Sequence, residues 1–88
     1  MAELRIISGL RKMEFSGGDP EGREGRAQVE FARPSRLPPG SPVHISLGMR
    51  EGKLRALVGV PQLIKEPAAG GGGEYLYRLF GPITEESA

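Results

Sequence analysis

The glycines and prolines of this chain gather in short clusters between apolar segments, and this punctuation constrains the fold more than any other feature. Fourteen glycines and eight prolines make up a quarter of the 88 residues. Breaks this frequent leave room for short strands joined by turns, and no stretch carries an apolar stripe at helical spacing over three turns. The pattern therefore predicts an all-β domain.

The segments between the clusters alternate apolar and polar residues, as half-buried strands do. The clearest are residues 26–33, 41–50 and 53–60, and Glu51-Gly52 predicts a hairpin turn between the last two. In the third segment, the alternation places Leu57 on the face opposite the core, where its presence suggests partial cover. The ten predicted core residues are Val29, Phe31, Val43, Ile45, Leu47, Leu54, Ala56, Val58, Tyr77 and Leu79.

Residues 4–15 predict one or two further strands, and residues 74–80 predict the last one. Hairpin-length connections favour antiparallel neighbours. We therefore predict a small antiparallel barrel of five or six strands, with a β-sandwich as the alternative. Residues 1–88 form one domain, with flexible loops at 16–25 and 66–73 and a short tail that has one helical turn at Thr84–Glu86.

Composition excludes several classes of function. The chain has no cysteine, so it forms no disulfide and has no thiolate for catalysis. Its net charge of +1 is low for a nucleic-acid binder. No apolar run approaches the roughly 18–20 residues that span a bilayer, and the N-terminus does not resemble a signal peptide. We expect a cytoplasmic protein, and the arginine, glycine and proline bias is typical of a GC-rich bacterial genome.

No catalytic residue, metal site or cofactor site is predicted. The only histidine, His44, lies on the polar face of a strand, and the only aspartate, Asp19, lies in a flexible loop. A catalytic triad requires better placement than this. The glycine runs lack the lysine and hydroxyl of a phosphate-binding loop. Tyr75, Tyr77 and Phe80 beside Arg78 suggest base stacking, but a strand that is apolar on both faces favours core packing.

The second half of the chain, LPPGSPVHISL…LRALVGV…EYLYRLFGPITEES, resembles the latter part of a PilZ domain. The resemblance implies a six-stranded barrel, and PilZ domains typically bind cyclic di-GMP. Their ligand motifs, an RxxxR pair and a DxSxxG, are missing here, since Arg23/Arg26 and Arg33/Arg36 are both spaced RxxR. The resemblance therefore transfers no ligand-binding residue and implies kinship with degenerate, partner-binding members.

The sequence as a whole predicts a non-catalytic binding module, adaptor or accessory subunit that contacts another protein. Sheet edges recruit partners by strand addition, which makes an edge the expected contact. The alternative is a receptor for a cyclic dinucleotide or single-stranded nucleic acid, with an anion-binding rim formed by Arg23, Arg26, Arg33 and Arg36. The identity of the partner and the oligomeric state are left open.

Overall fold

The computed structural model describes residues 3–18 and 25–87, and every regular element in these residues is a β-strand. The all-β prediction is confirmed, with eight strands in place of five or six. In the described residues, no helix is long and apolar enough to cross a membrane. The strands are β1 (Leu4–Ile6), β2 (Leu10–Ser16), β3 (Arg26–Arg33), β4 (Val43–Arg50), β5 (Lys53–Gly59), β6 (Gln62–Lys65), β7 (Tyr75–Pro82) and β8 (Thr84–Ser87).

The strands form two four-stranded sheets. The first sheet has the order β1-β4-β5-β8, and the second has the order β2-β3-β7-β6. This arrangement corresponds to the sandwich alternative, because the described strands do not close into one barrel. The chain passes between the sheets within three nearly continuous segments, at residues 7–9, at residues 60–61 and at Ile83. These bends divide longer segments and raise the number of strands.

Most strand pairs are antiparallel, as the short connections predict. The exception is the pair of β1 and β4, which run parallel with Leu4 opposite Val43 and Ile6 opposite Ile45. Parallel neighbours need a long crossover connection. Here β2 and β3, which belong to the other sheet, provide it.

The core lies between the two sheets and is centred on β3. Val29 and Phe31 are completely buried, and the Phe31 ring stacks on Tyr77 with the ring centroids 5.6 Å apart. The Tyr77 hydroxyl accepts a hydrogen bond from the Leu37 amide at 2.8 Å, so its buried polar end has a partner. The core-packing interpretation is therefore confirmed for Tyr77 and is wrong for Phe80, which is 53% exposed. The predicted core residues found buried are Val29, Phe31, Val43, Ile45, Leu47, Ala56, Tyr77 and Leu79.

A β-bulge in β4 explains why the inward face of β5 was predicted wrongly. Leu57 is completely buried and Val58 is 36% exposed, the reverse of the expectation, while Leu54 is only half-buried. Leu47 is an extra residue in β4, because its two neighbours pair with adjacent residues of β5. The pairing is shifted by one residue beyond it, so Leu57 lies opposite Ile45.

The C-terminal residues form a strand, so the predicted helical turn at Thr84–Glu86 is wrong. β7 runs on through Pro82, and β8 then pairs antiparallel with β5. Thr84 lies opposite Ala56, and its hydroxyl donates a hydrogen bond to the Ala56 carbonyl oxygen at 3.1 Å. A polar segment becomes a strand here because β5 offers it an edge, a tertiary effect that outweighs local propensity.

The two predicted flexible loops are described unequally. Residues 19–24 of the first loop lie outside the described residues. The second loop connects β6 to β7, and in it the Gly71 amide donates a hydrogen bond to the Ala68 carbonyl oxygen at 3.1 Å. The mobility of both loops stays a prediction.

The bulge makes a prediction about two adjacent residues. Leu57→Ala removes a completely buried side chain and should lower the free energy of unfolding by about 2–5 kcal/mol. Val58→Ala acts on the opposite face and should cost about 1 kcal/mol or less. Urea denaturation of both variants measures the difference. Equal losses, or a larger loss for Val58→Ala, would contradict the shifted register.

Candidate functional site

Strand β2 is the longest of the four strands that lie at sheet edges. It has seven residues, whereas β1 has three and β6 and β8 have four each. All seven residues are exposed, and β3 is its only hydrogen-bonded neighbour among the described strands. An edge strand presents unpaired N–H and C=O groups that can pair with another chain. We therefore treat β2 as the candidate site.

The side of β2 that faces the first sheet, which we call the inner side, is apolar. Leu10, Met13 and Phe15 lie opposite buried core residues of β3, and directly opposite residues share a face of the sheet. These three side chains are nevertheless 40%, 38% and 47% exposed. The reason is that the two sheets contact each other mainly through β5 and β7, so the first sheet does not cover β2.

Arg55 provides the link between the first sheet and this apolar side. Its guanidinium carbon lies 6.0 Å from the centre of the Phe15 ring, within cation–π distance. Arg55 is half-buried and also donates a hydrogen bond to the Leu47 carbonyl oxygen at 3.0 Å. A cation thus lies over Phe15 where a packed apolar layer would be expected, and the rest of the ring stays accessible.

The opposite side of β2, which we call the outer side, carries a positive and a negative charge. Lys12 and Glu14 lie on this side, with Lys12 Nζ 3.6 Å from Glu14 Oε1. Lys12 also lies opposite Glu30 of β3, and Glu30 accepts hydrogen bonds from Arg78 at 3.1 and 3.3 Å. The Glu30 charge is therefore already paired, and Lys12 and Glu14 remain exposed along the edge.

The first residues of β2 are held in place by a tight corner and a bulge. Gly9 has a φ of +82°, and a Cβ there would lie 2.5 Å from the Ala32 carbonyl oxygen. The Ala32 amide donates a hydrogen bond to the Gly9 carbonyl oxygen at 2.9 Å. Arg11 is an extra residue relative to β3, and it donates a hydrogen bond to Glu74 at 2.8 Å. The regular edge therefore begins at Lys12.

The predicted arginine rim is divided along β3. Arg26 is the first residue of β3 and Arg33 is the last, which places them roughly 23 Å apart along a strand. Arg33 is half-buried, and its Nε has no hydrogen-bond partner in the described residues. Arg23 lies outside the described residues. The structure therefore does not bring Arg26 and Arg33 together.

Two of these arginines already have partners. The guanidinium carbon of Arg26 lies 5.8 Å from the centre of the Phe80 ring. Arg36 forms an exposed ion pair with Glu66 at 3.2 Å. An anion would compete with both contacts, although exposed ion pairs contribute little to stability. Anion binding by the quartet stays a prediction.

A small pocket that sequence reasoning missed lies beside Tyr77. Its volume is about 110 Å³, well below the roughly 300–1,000 Å³ of typical ligand pockets. It accommodates one side chain rather than a dinucleotide. In the sequence, Pro38-Pro39-Gly40 predicts a turn. It does not predict that this turn forms one wall of a pocket. The lining residues are Arg36, Leu37, Pro38, Pro39, Gly40, Ser41, Val60, Pro61, Leu63 and Tyr77.

His44 lies on the face opposite Ile45, as predicted, but it is buried there rather than at the surface. Its Nε2 lies 3.4 Å from Glu86 Oε1 of β8, a strand that the sequence did not predict. In residues 3–18 and 25–87, no three His, Asp or Glu side chains are grouped closely enough to hold a metal ion. Asp19 lies outside these residues. The absence of catalysis stays a prediction.

Comparison of the chain with protein-family models, curated proteins and solved structures returned no match. The resemblance to PilZ domains therefore stays a prediction. Function has to be argued from the described residues alone.

The corner at Gly9 can be tested against a glycine with a similar φ angle. Gly9 and Gly40 have φ values of +82° and +78°, but nothing lies within 4 Å of a Cβ at Gly40. Gly40→Ala should cost about 1–2 kcal/mol of stability from the left-handed backbone alone. Gly9→Ala should cost a further ~1–3 kcal/mol, because the methyl group collides with Ala32. Equal losses in chemical denaturation would rule out the tight corner.

The separation of Arg26 from Arg33 along β3 predicts weak anion binding. We expect no saturable sub-micromolar binding of cyclic di-GMP at physiological salt. Single-stranded nucleic acid should bind no tighter than the non-specific range of roughly 10⁻⁴–10⁻⁶ M. Calorimetric titration measures both. Tight binding that is lost when Arg33→Ala and Arg36→Ala are combined would instead favour the receptor alternative.

Proposed function

We propose that this protein is a non-catalytic binding module that takes up an extended segment of a partner protein as an additional strand along β2. The observation that carries this proposal is a seven-residue edge strand with every residue exposed and an apolar inner side. Strand addition uses both features, because the backbone groups provide affinity and alternate side chains provide specificity. A module of this kind serves as an adaptor or an accessory subunit.

The side chains of β2 define the segment that it would accept. On the inner side, a partner residue beside Met13 or Phe15 should be apolar, since it then covers surface that the first sheet leaves exposed. On the outer side, an acidic residue opposite Lys12 and a basic residue opposite Glu14 are favoured, because directly opposite charges of unlike sign stabilise strand pairs. The preferred segment therefore alternates apolar and charged residues.

The other three edges are less suitable. β1, β6 and β8 offer only three or four residues each, and backbone pairing along so short an edge forms few hydrogen bonds. β6 is also preceded by Pro61, which has no amide proton to donate. Strand β2 thus combines length, exposure and an apolar side.

Two exposed apolar residues provide a matched test. Phe15 lies on the inner side of β2 and Met49 on β4 of the other sheet, and both are about half exposed, at 47% and 56%. On an array of heptapeptides that alternate apolar and charged residues, the labelled protein should bind a subset. Phe15→Ser should weaken that binding about tenfold or more, since burying a phenylalanine contributes about 1.5–3 kcal/mol. Met49→Ser should leave it unchanged.

The location of binding is tested by NMR. Amide shifts on addition of a selected peptide should concentrate in Leu10–Ser16. Shifts confined to another strand, or equal loss of binding in the Phe15→Ser and Met49→Ser variants, would overturn the assignment to β2.

A further inference from the structure

The sequence of β2, LRKMEFS, is complementary to itself when two copies run antiparallel. We propose that the partner segment is β2 of a second copy of this chain, and that the two strands pair about a two-fold axis at Met13. This inference rests on the proposed function, since it identifies the strand that β2 takes up. The two second sheets would then form one continuous sheet of eight strands, with β2 of each copy at its centre.

The faces of β2 restrict where the axis can lie. Directly opposite residues of antiparallel strands point to the same face. The apolar sides of the two copies therefore meet on one face only when the axis passes through a residue, not between two residues. Within the regular part of β2, the central choices are Lys12, Met13 and Glu14.

Charge selects among these three registers. An axis at Lys12 places the two Lys12 side chains opposite each other, and an axis at Glu14 does the same with two carboxylates. Like charges directly opposite are destabilising. An axis at Met13 places Lys12 of each copy opposite Glu14 of the other, which gives two favourable pairs. Met13 is also the middle residue of Leu10–Ser16, so this register overlaps the whole strand.

The apolar side is complementary in the same register. The two Met13 side chains meet at the axis, where each is 38% exposed in the single chain. Methionine is flexible enough to pack against its own copy. Phe15 of each copy lies opposite Arg11 of the other, so a guanidinium comes near an exposed aromatic ring. The bulge at Arg11 makes the pairing irregular there, and the pairs from Lys12 to Glu14 carry the register.

The side chains of Lys12 and Glu14 can change from pairing with each other to pairing with a second copy. Lys12 and Glu14 form an ion pair within the chain at 3.6 Å, and their side chains are 56% and 57% exposed. Such exposed pairs contribute little, so turning toward a second copy loses little. An interface of one edge strand is small, and small interfaces are weak and transient. The association should therefore depend on protein concentration.

Charge-reversal variants of Lys12 and Glu14 test this register. Sedimentation equilibrium over a range of protein concentrations measures their self-association. Lys12→Glu and Glu14→Lys should each weaken self-association at least about tenfold, because each turns two attractive pairs into two repulsive ones. The double variant restores both pairs and should recover the association. A mixture of the two single variants should form a heterodimer, because glutamates of one chain then face lysines of the other.

Controls separate the register from general charge effects. Lys65→Glu and Glu3→Lys make the same changes in net charge at exposed positions off β2 and should leave self-association unchanged. Lys12→Glu also faces Glu30 within its own chain, whereas Glu14→Lys faces the neutral Gln28. Glu14→Lys therefore keeps the test valid should Lys12→Glu fold poorly, and circular dichroism checks the fold of each variant.

The outcomes distinguish this inference from the proposed function. A wild-type protein that stays monomeric, while peptides still bind at β2, overturns the second copy and leaves the proposed function standing. Self-association that ignores all charge reversals overturns the register at Met13. A monomeric wild type that binds no peptide at β2 overturns both the proposed function and this inference. Self-association that follows the charge reversals without peptide binding supports the second copy as the partner strand. Recovery in both the double variant and the mixture supports the pairing at Met13.

Discussion

The rest of the structure depends on the contact between β5 and β7, where the two sheets meet. On each strand, a glycine lies against a leucine of the other. A Cβ at Gly59 would lie 3.2 Å from the Leu79 Cδ1 atom, and one at Gly81 would lie 3.7 Å from the Leu57 Cδ1 atom. The leucines fill the space that the missing side chains leave, which is how close-packed interiors are built. The sheets are thus joined where the leucines interlock, one strand away from β3 and two strands away from β2.

This off-centre joint determines which strand is uncovered. In the second sheet, β7 lies between β3 and β6, and β2 lies beyond β3 at the edge. The first sheet covers the inner face as far as β3, whose Val29 and Phe31 are completely buried. One strand further out, Met13 and Phe15 have the same orientation but remain exposed.

The sequence was informative where local rules decide the structure. The limits of β3 at Arg26–Arg33 follow from its alternation and from Pro34, and the two-residue hairpin turn at Glu51-Gly52 has the positive φ angles that its glycine suggests. It was misleading where one element depends on another. The bulge at Leu47 reverses the faces of β5, and β8 is a strand only because β5 pairs with it.

The candidate site, like the fold, could be predicted from the sequence only in part. A sheet edge could be expected from composition, but Leu10, Met13 and Phe15 have the pattern of core residues, and only the arrangement of the sheets leaves them exposed. The arginine rim requires the arginines that flank residues 26–33 to fold back toward one another, and an extended strand separates Arg26 from Arg33. Alternation reports which residues share a face; it does not report whether another layer covers that face.

A position at the sheet edge alone does not account for the character of β2. A strand left at an edge is normally blunted by a bulge or by charges, and β2 has both, in Arg11 and Lys12. These devices act at one end and on the outer side only. A polar inner side would protect the edge further at little cost in core packing, since the first sheet does not cover it. The inner side instead carries three large apolar residues, and the outer side carries an acid two residues after a base. If β2 takes up a partner strand as proposed, Lys12 disfavours strands that place a base opposite it and favours those that place an acid there, which is selection between partners rather than general protection.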